Sequence, residues 1–142
     1  MNSYEIDEFW AEITLNNRKR HLITAKSNVT PGDKLVSGHS YVVLDQLTLE
    51  TGTRLLLLRN PWGREDFDGR WSDFDRLWTR EAKKERGVPE GDDGLFYISV
   101  EDYLEHMDYT YINYDTTDSY QGYFMMWDDP AEQNGDSFLC GR

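Results

Sequence analysis

Thr53-Arg54-Leu55-Leu56-Leu57-Leu58-Arg59-Asn60-Pro61-Trp62-Gly63 is the stretch on which the reading of this chain turns. Four consecutive leucines give an extended segment apolar side chains on both faces, which predicts a strand buried from both sides. Gly52 before the run and Pro61 after it hold it to strand length. Upstream, Ser40-Tyr41-Val42-Val43-Leu44 is short and β-prone. The connection from Asp45 to Gly52 contains Thr-Leu-Glu-Thr-Gly and reads as a hairpin loop, so the two strands are expected to be antiparallel neighbours. A hairpin sets the start of its first strand beside the end of its second. His39 opens the first strand and Asn60 closes the second, so both are expected at one edge of the sheet.

Outward from this hairpin, Ile6, Phe9, Trp10 and Ile13 recur at helical spacing within residues 4–15, with Asn16-Asn17 expected to end that helix. Residues 20–26 alternate as a strand does, and Pro31-Gly32-Asp33 marks a loop. Residues 60–75, rich in Gly, Trp, Asp and Pro, predict a structured loop. A charged amphipathic helix is expected over 77–86, and an acidic turn over 90–94. Leu95 to Val100 reads as a strand, Ser99 as the cap of a helix over 100–107, and Tyr109 to Tyr114 as a last strand. The fold class is α+β: a mostly antiparallel β-sheet with a few short helices. Residues 1–115 form one unit, and 116–142, where Thr, Asp, Ser and Gly take over, read as a linker and the truncated start of a following domain.

The chain has 142 residues and 14% aromatics, enough for one folded core. Its formal charge of −12 supplies no basic footprint for nucleic acid. No apolar run reaches membrane-spanning length. The single cysteine, Cys140, allows neither an internal disulfide nor a zinc site, and points to a reducing, cytoplasmic setting.

The pair at the sheet edge has a chemical reading. A cysteine protease uses an imidazole to take a thiol proton and return it to the leaving amine. An Asn side-chain oxygen can fix that ring and its tautomer, and a neighbouring indole such as Trp62 can keep water from the bond. Singly, a histidine at a strand start and an Asn-Pro turn opener are more often structural. Their order on adjacent predicted strands is what raises the chemical reading.

Gly38-His39-Ser40-Tyr41, Leu55 to Gly63, Gly69-Arg70-Trp71-Ser72-Asp73 and Asp93-Gly94-x-Phe96-Tyr97 together resemble the second half of the calpain protease core, over roughly residues 5–115. The resemblance implies the β-rich half of a papain-like cysteine protease. It implies His39 as catalytic base and acid, Asn60 as its orienting partner and Trp62 as the shield. The family's nucleophilic Cys and oxyanion-hole Gln lie on an earlier half, and nothing here matches them; Cys140 lacks the flanking elements of a nucleophile. The resemblance also implies one Ca²⁺, held by Asp66, Asp73, Asp93 and the carbonyl of Gly91. Leu95 stands where the family usually has a further acid, so weak binding is expected. Residues 123–142 loosely resemble the opening of the β-sandwich domain that follows the core in calpains. The implied partners are a Cys-bearing half of the same parent chain and protein or peptide substrates. The alternative is a non-catalytic calpain-like interaction or calcium-binding module.

Overall fold

A computed structural model describes residues 3–27, 35–64, 67–80, 83, 87 and 91–114, together with the backbone of 122–126. The chain runs α1 (Ser3–Arg18), β1 (Leu22–Ser27), β2 (Ser40–Thr48), β3 (Arg54–Arg59), β4 (Leu95–Ser99), α2 (Val100–His106), β5 (Met107–Asn113) and β6 (Gly122–Met126). The strands form one antiparallel sheet in the order β4-β3-β2-β1-β5-β6. This is the α+β, β-rich class expected from the sequence. Residues 122–126, assigned by sequence to a linker or following domain, pair with β5 in the same sheet.

The leucine run works on both faces. Leu56 and Leu58 join Phe9, Ile13, Ile23, Tyr41, Val43, Phe96 and Ile98 in the larger core, which α1 and α2 also enter through Phe9, Ile13, Val100 and Tyr103. Leu55 and Leu57 point the other way, into a smaller cluster with Trp78 and Tyr97 and the half-buried Leu47 and Trp71. Fully burying a Leu side chain stabilises by roughly 1.5–3 kcal/mol. Leu55, Leu56 and Leu58 are all completely buried, so this single strand anchors both cores. Burial also pushes up the phenol pKa of Tyr97, helped by the nearby Asp45 carboxylate. Burial does the same to Tyr103, whose hydroxyl pairs with Thr110 Oγ1 at 2.8 Å.

Both β2 with its turn and α1 depart from the sequence reading. β2 continues to Thr48 rather than stopping at Leu44, and the turn contracts to residues 49–53, closed by Leu49 N–H donating to Thr53 O at 2.9 Å. The extension carries a β-bulge: Val43 pairs with Leu58, whereas Asp45 pairs with Leu57, leaving Leu44 as the extra, 42% exposed residue. Helix α1 runs through Asn16-Asn17 because both side chains find partners. Asn16 Nδ2 donates to Glu12 O at 2.8 Å, and Asn17 Nδ2 donates to Gln46 Oε1 at 2.6 Å. Those bonds remove the usual preference of Asn for a turn. The cap of α2 is as expected, with Asp102 N–H donating to Ser99 Oγ at 3.1 Å. The loop at 28–34 and residues 81, 82 and 84–86 lie outside the described residues; of the helix expected over 77–86, residues 77–79 are turn and irregular chain rather than helix, and 80 and 83 are helical.

Candidate active site

The hairpin delivers His39 and Asn60 to one edge. Val42 pairs with Arg59, so the residue before Ser40 and the residue after Arg59 leave the sheet side by side. His39 Nε2 lies 2.9 Å from Asn60 Oδ1. Trp62 N–H donates to the same oxygen at 2.9 Å. A backbone N–H can only meet an acceptor, so the oxygen of the amide, not its nitrogen, occupies this place. His39 Nε2 must then be the protonated nitrogen. In the neutral ring that leaves Nδ1 with a lone pair, ready to accept a proton. Asn60 is completely buried, so its amide sits where water cannot compete for either bond.

The ring itself is boxed by aromatics. The Trp62 ring centroid lies 4.0 Å from that of His39 at an interplanar angle of 38°, and Tyr41 meets the imidazole edge-on at 5.0 Å. Trp62 is still 55% exposed, so the indole covers one side of the site and faces outward on the other.

The backbone of His39 is gripped from β1. Ser27 N–H donates to His39 O at 2.8 Å, and His39 N–H donates to Ser27 Oγ at 2.9 Å. The Ser27 hydroxyl in turn donates to Val36 O at 2.5 Å, while Val36 N–H donates to the Tyr41 hydroxyl at 3.0 Å. The sequence offered no signal for Ser27, a strand-end serine twelve residues upstream of the histidine.

On the other strand, Asn60 N–H donates to Gly94 O at 2.7 Å, tying the asparagine to the acidic turn before β4. A side chain at Gly94 would lie 3.0 Å from Asn60 O, Gly63 Cα and Arg64 N, and its φ of +81° is left-handed. Only glycine suits that close approach. The Asp93-Gly94 pair was visible as part of a motif, but its contact with Asn60 was not. Gly63 differs: nothing lies within 4 Å of its absent Cβ, and its role is the left-handed φ of +69° that turns the chain back after Trp62.

The expected calcium ligands are placed unequally. Asp73 is buried, and its Oδ2 accepts Gly91 N–H at 3.1 Å, so these two positions are brought together across the two loops. Lys83 Nζ donates to the Asp73 carbonyl. Asp93 is exposed and commits Oδ1 to Leu95 N–H at 2.9 Å, closing its own turn. Asp66 lies outside the described residues. Among the described residues no three His, Cys, Asp or Glu side chains gather as a metal site. The donors are hard oxygens and suit Ca²⁺ in kind, but this part of the chain supplies fewer than the roughly six to eight that Ca²⁺ takes. Cys140 also lies outside the described residues.

The calpain family cysteine protease model matches residues 2–113, most of the chain and the whole of this site. The chain belongs to the calpain family. It is 39% identical over 82 residues to mouse Calpain-5, an alignment covering 48% of this chain and 13% of that protein. It is 39% identical over 80 residues to the Arabidopsis thaliana calpain-type cysteine protease DEK1, covering 55% of this chain and 4% of that protein. The human Calpain-2 catalytic subunit is 34% identical over 87 residues, covering 58% and 12% respectively. This calpain-family chain therefore spans only a small part of the length of the relatives it matches. No helix among its described residues is long and apolar enough to cross a membrane.

Proposed function

We propose that the chain is the His/Asn half of a calpain-type cysteine endopeptidase that acts in the cytoplasm on protein or peptide substrates. The observation that carries this reading is the shared acceptor Asn60 Oδ1, which receives both His39 Nε2 and Trp62 N–H. With Nε2 held protonated, Nδ1 takes the proton of a thiol brought in by the Cys-bearing half of the parent chain. The thiolate attacks the scissile carbonyl, and the imidazolium returns its proton to the departing amine. His39 then activates the water that releases the acyl group. Asn60 keeps the ring in one tautomer and orientation throughout, and Trp62 excludes water from one side of the His39–Asn60 bond.

The test has two parts. Long-range ¹H–¹⁵N NMR of the imidazole is expected to show the Nε2–H tautomer at His39, lost in Asn60→Ala. The chain alone is expected to leave a fluorogenic peptide uncut, and a Cys-bearing calpain half supplied to it is expected to restore cleavage that His39→Ala removes. Turnover by the chain alone that disappears in Cys140→Ala refutes the assignment.

We propose further that Asp73, the Gly91 carbonyl, Asp93 and Asp66 hold Ca²⁺ weakly. Bound there, the ion would offset carboxylate repulsion and tie the loop after Asn60 to the turn that contacts Asn60 through Gly94.

A further inference from the structure

We infer that Arg64 is a positioning residue for His39, acting through Trp62; its purpose, though not its geometry, rests on the function proposed above. The indole over His39 is held at its backbone by the bond from Trp62 N–H to Asn60 Oδ1. That bond fixes where the side chain begins, not which way it turns. With Trp62 55% exposed, much of the ring borders solvent and has room to swing away from the imidazole. The Arg64 guanidinium sits over the indole, its Cζ 5.1 Å from the ring centroid. The same indole lies 4.0 Å from the His39 ring, centroid to centroid. Imidazole, indole and guanidinium thus lie in series, each against the next.

The local chain explains how residues 62 and 64 come to share a side. Gly63 N–H donates to Asn60 O at 3.0 Å, closing a turn, and Gly63 takes the left-handed φ of +69°. Arg64 N then lies against Gly94, so the start of its side chain is set by packing. A planar guanidinium stacks on an indole face and adds cation–π attraction, whereas an ammonium provides a point charge without the stacking plane. Arg64 therefore biases the rotamer that keeps Trp62 over the His39–Asn60 bond. Its removal is expected to raise the uncovered population about two- to fivefold.

Ring-current shifts read this directly in the chain itself. The three histidines are His21, His39 and His106, and a His39→Gln variant assigns the signals of His39. In the parent chain the carbon-bound ring protons of His39 are expected upfield, under the indole. Trp62→Ala sets the uncovered reference. Arg64→Gln is expected to move the His39 protons toward that reference, and Arg64→Lys to move them less. The His21 signals, set by the Tyr114 ring 4.8 Å away, are expected to stay still and report an intact fold. His39 signals that remain at their parental positions in Arg64→Gln overturn the inference. If His39 is insensitive to Trp62→Ala, the covering of His39 by Trp62 itself is wrong; loss of the Nε2–H tautomer signature in the parent chain overturns the function reading instead. Should Arg64→Gln disturb His21, Arg64→Met, which keeps the apolar stem without the charge, carries the same comparison.

Discussion

The His39–Asn60 edge and the acidic loops beside it are built from the same stretch of chain, yet they are organised in opposite ways. At the edge, one buried oxygen gathers two N–H donors, and both strands that deliver it are pinned through cores on two faces. In the loops, Asp73 meets Gly91, but Asp93 serves its own turn through Leu95 N–H. The His39–Asn60–Trp62 arrangement is assembled by contacts within the described chain. The loops commit the carboxylates of Asp73 and Asp93 to backbone N–H groups at the acidic turn, Asp73 to Gly91 and Asp93 to Leu95. Preorganisation follows the strands, where neighbouring backbone is fixed by the ladder, and weakens in loops, where each acid can satisfy itself locally.

The sharpest way to break the contrast is Asn60→Ala. It strands two donors around a fully buried site, and a loss of about 1–3 kcal/mol for the groups left unsatisfied is expected in urea unfolding. His39→Ala, at a half-buried residue, is expected to fall clearly below that, even though His39 is the residue proposed to carry the chemistry. Equal losses for the two would undo the idea that the asparagine is the structural centre of the site.

Gly94→Ala comes next. Its left-handed φ and the 3.0 Å contacts with the Asn60 loop make about 1–3 kcal/mol of destabilisation the expected outcome. Amide shifts at Asn60 and Trp62 should accompany it; unchanged shifts there would show that the turn does not buttress the site. Asp73→Asn is milder, because the amide oxygen still accepts Gly91 N–H, and about 1 kcal/mol or less is expected from the same unfolding assay.

The smallest effect concerns calcium. Amides of residues 67–75 and 91–96 are expected to shift on titration to millimolar Ca²⁺, with a Kd of about 10⁻⁴–10⁻³ M. Leu95→Glu is expected to tighten binding and Asp73→Ala to remove it. Amides that remain still in both the parent chain and Leu95→Glu mean that no such site exists.

Much of the edge was legible because the leucine run is bounded by Gly52 and Pro61 and can only be a short, doubly buried strand. The hairpin followed from it, and with the hairpin the meeting of His39 and Asn60. Ser99 as a cap was equally readable, since its role depends on residues within one helical turn. What stayed hidden depends on distant partners. Asn17 stays in the helix with its amide donating to Gln46 Oε1 and Leu44 O, and no local pattern encodes those bonds. The grip of Ser27 on His39 and the contact of Gly94 with Asn60 likewise join segments far apart in sequence. Trp71 adopts a left-handed φ of 69°, held by its N–H donating to Asp75 Oδ2 and its carbonyl accepting from Trp78 Nε1, which residue type alone argues against.

The bulge at Leu44 acts as a change of phase within a single strand. Before it, the odd-numbered Tyr41 and Val43 look into the larger core; after it, the odd-numbered Leu47 looks into the smaller one. Without the extra residue, one unbroken alternation would place Val43 and Leu47 on the same opposite faces that they occupy now. Deleting Leu44 closes the ladder into regular pairing, Val43 opposite Leu58 and Asp45 opposite Leu57, with Leu47 still facing Leu55 and His39 still beside Asn60. A single exposed leucine thus adds local twist to β2 while the alignment of His39 with Asn60 is held by the ladder on either side of it.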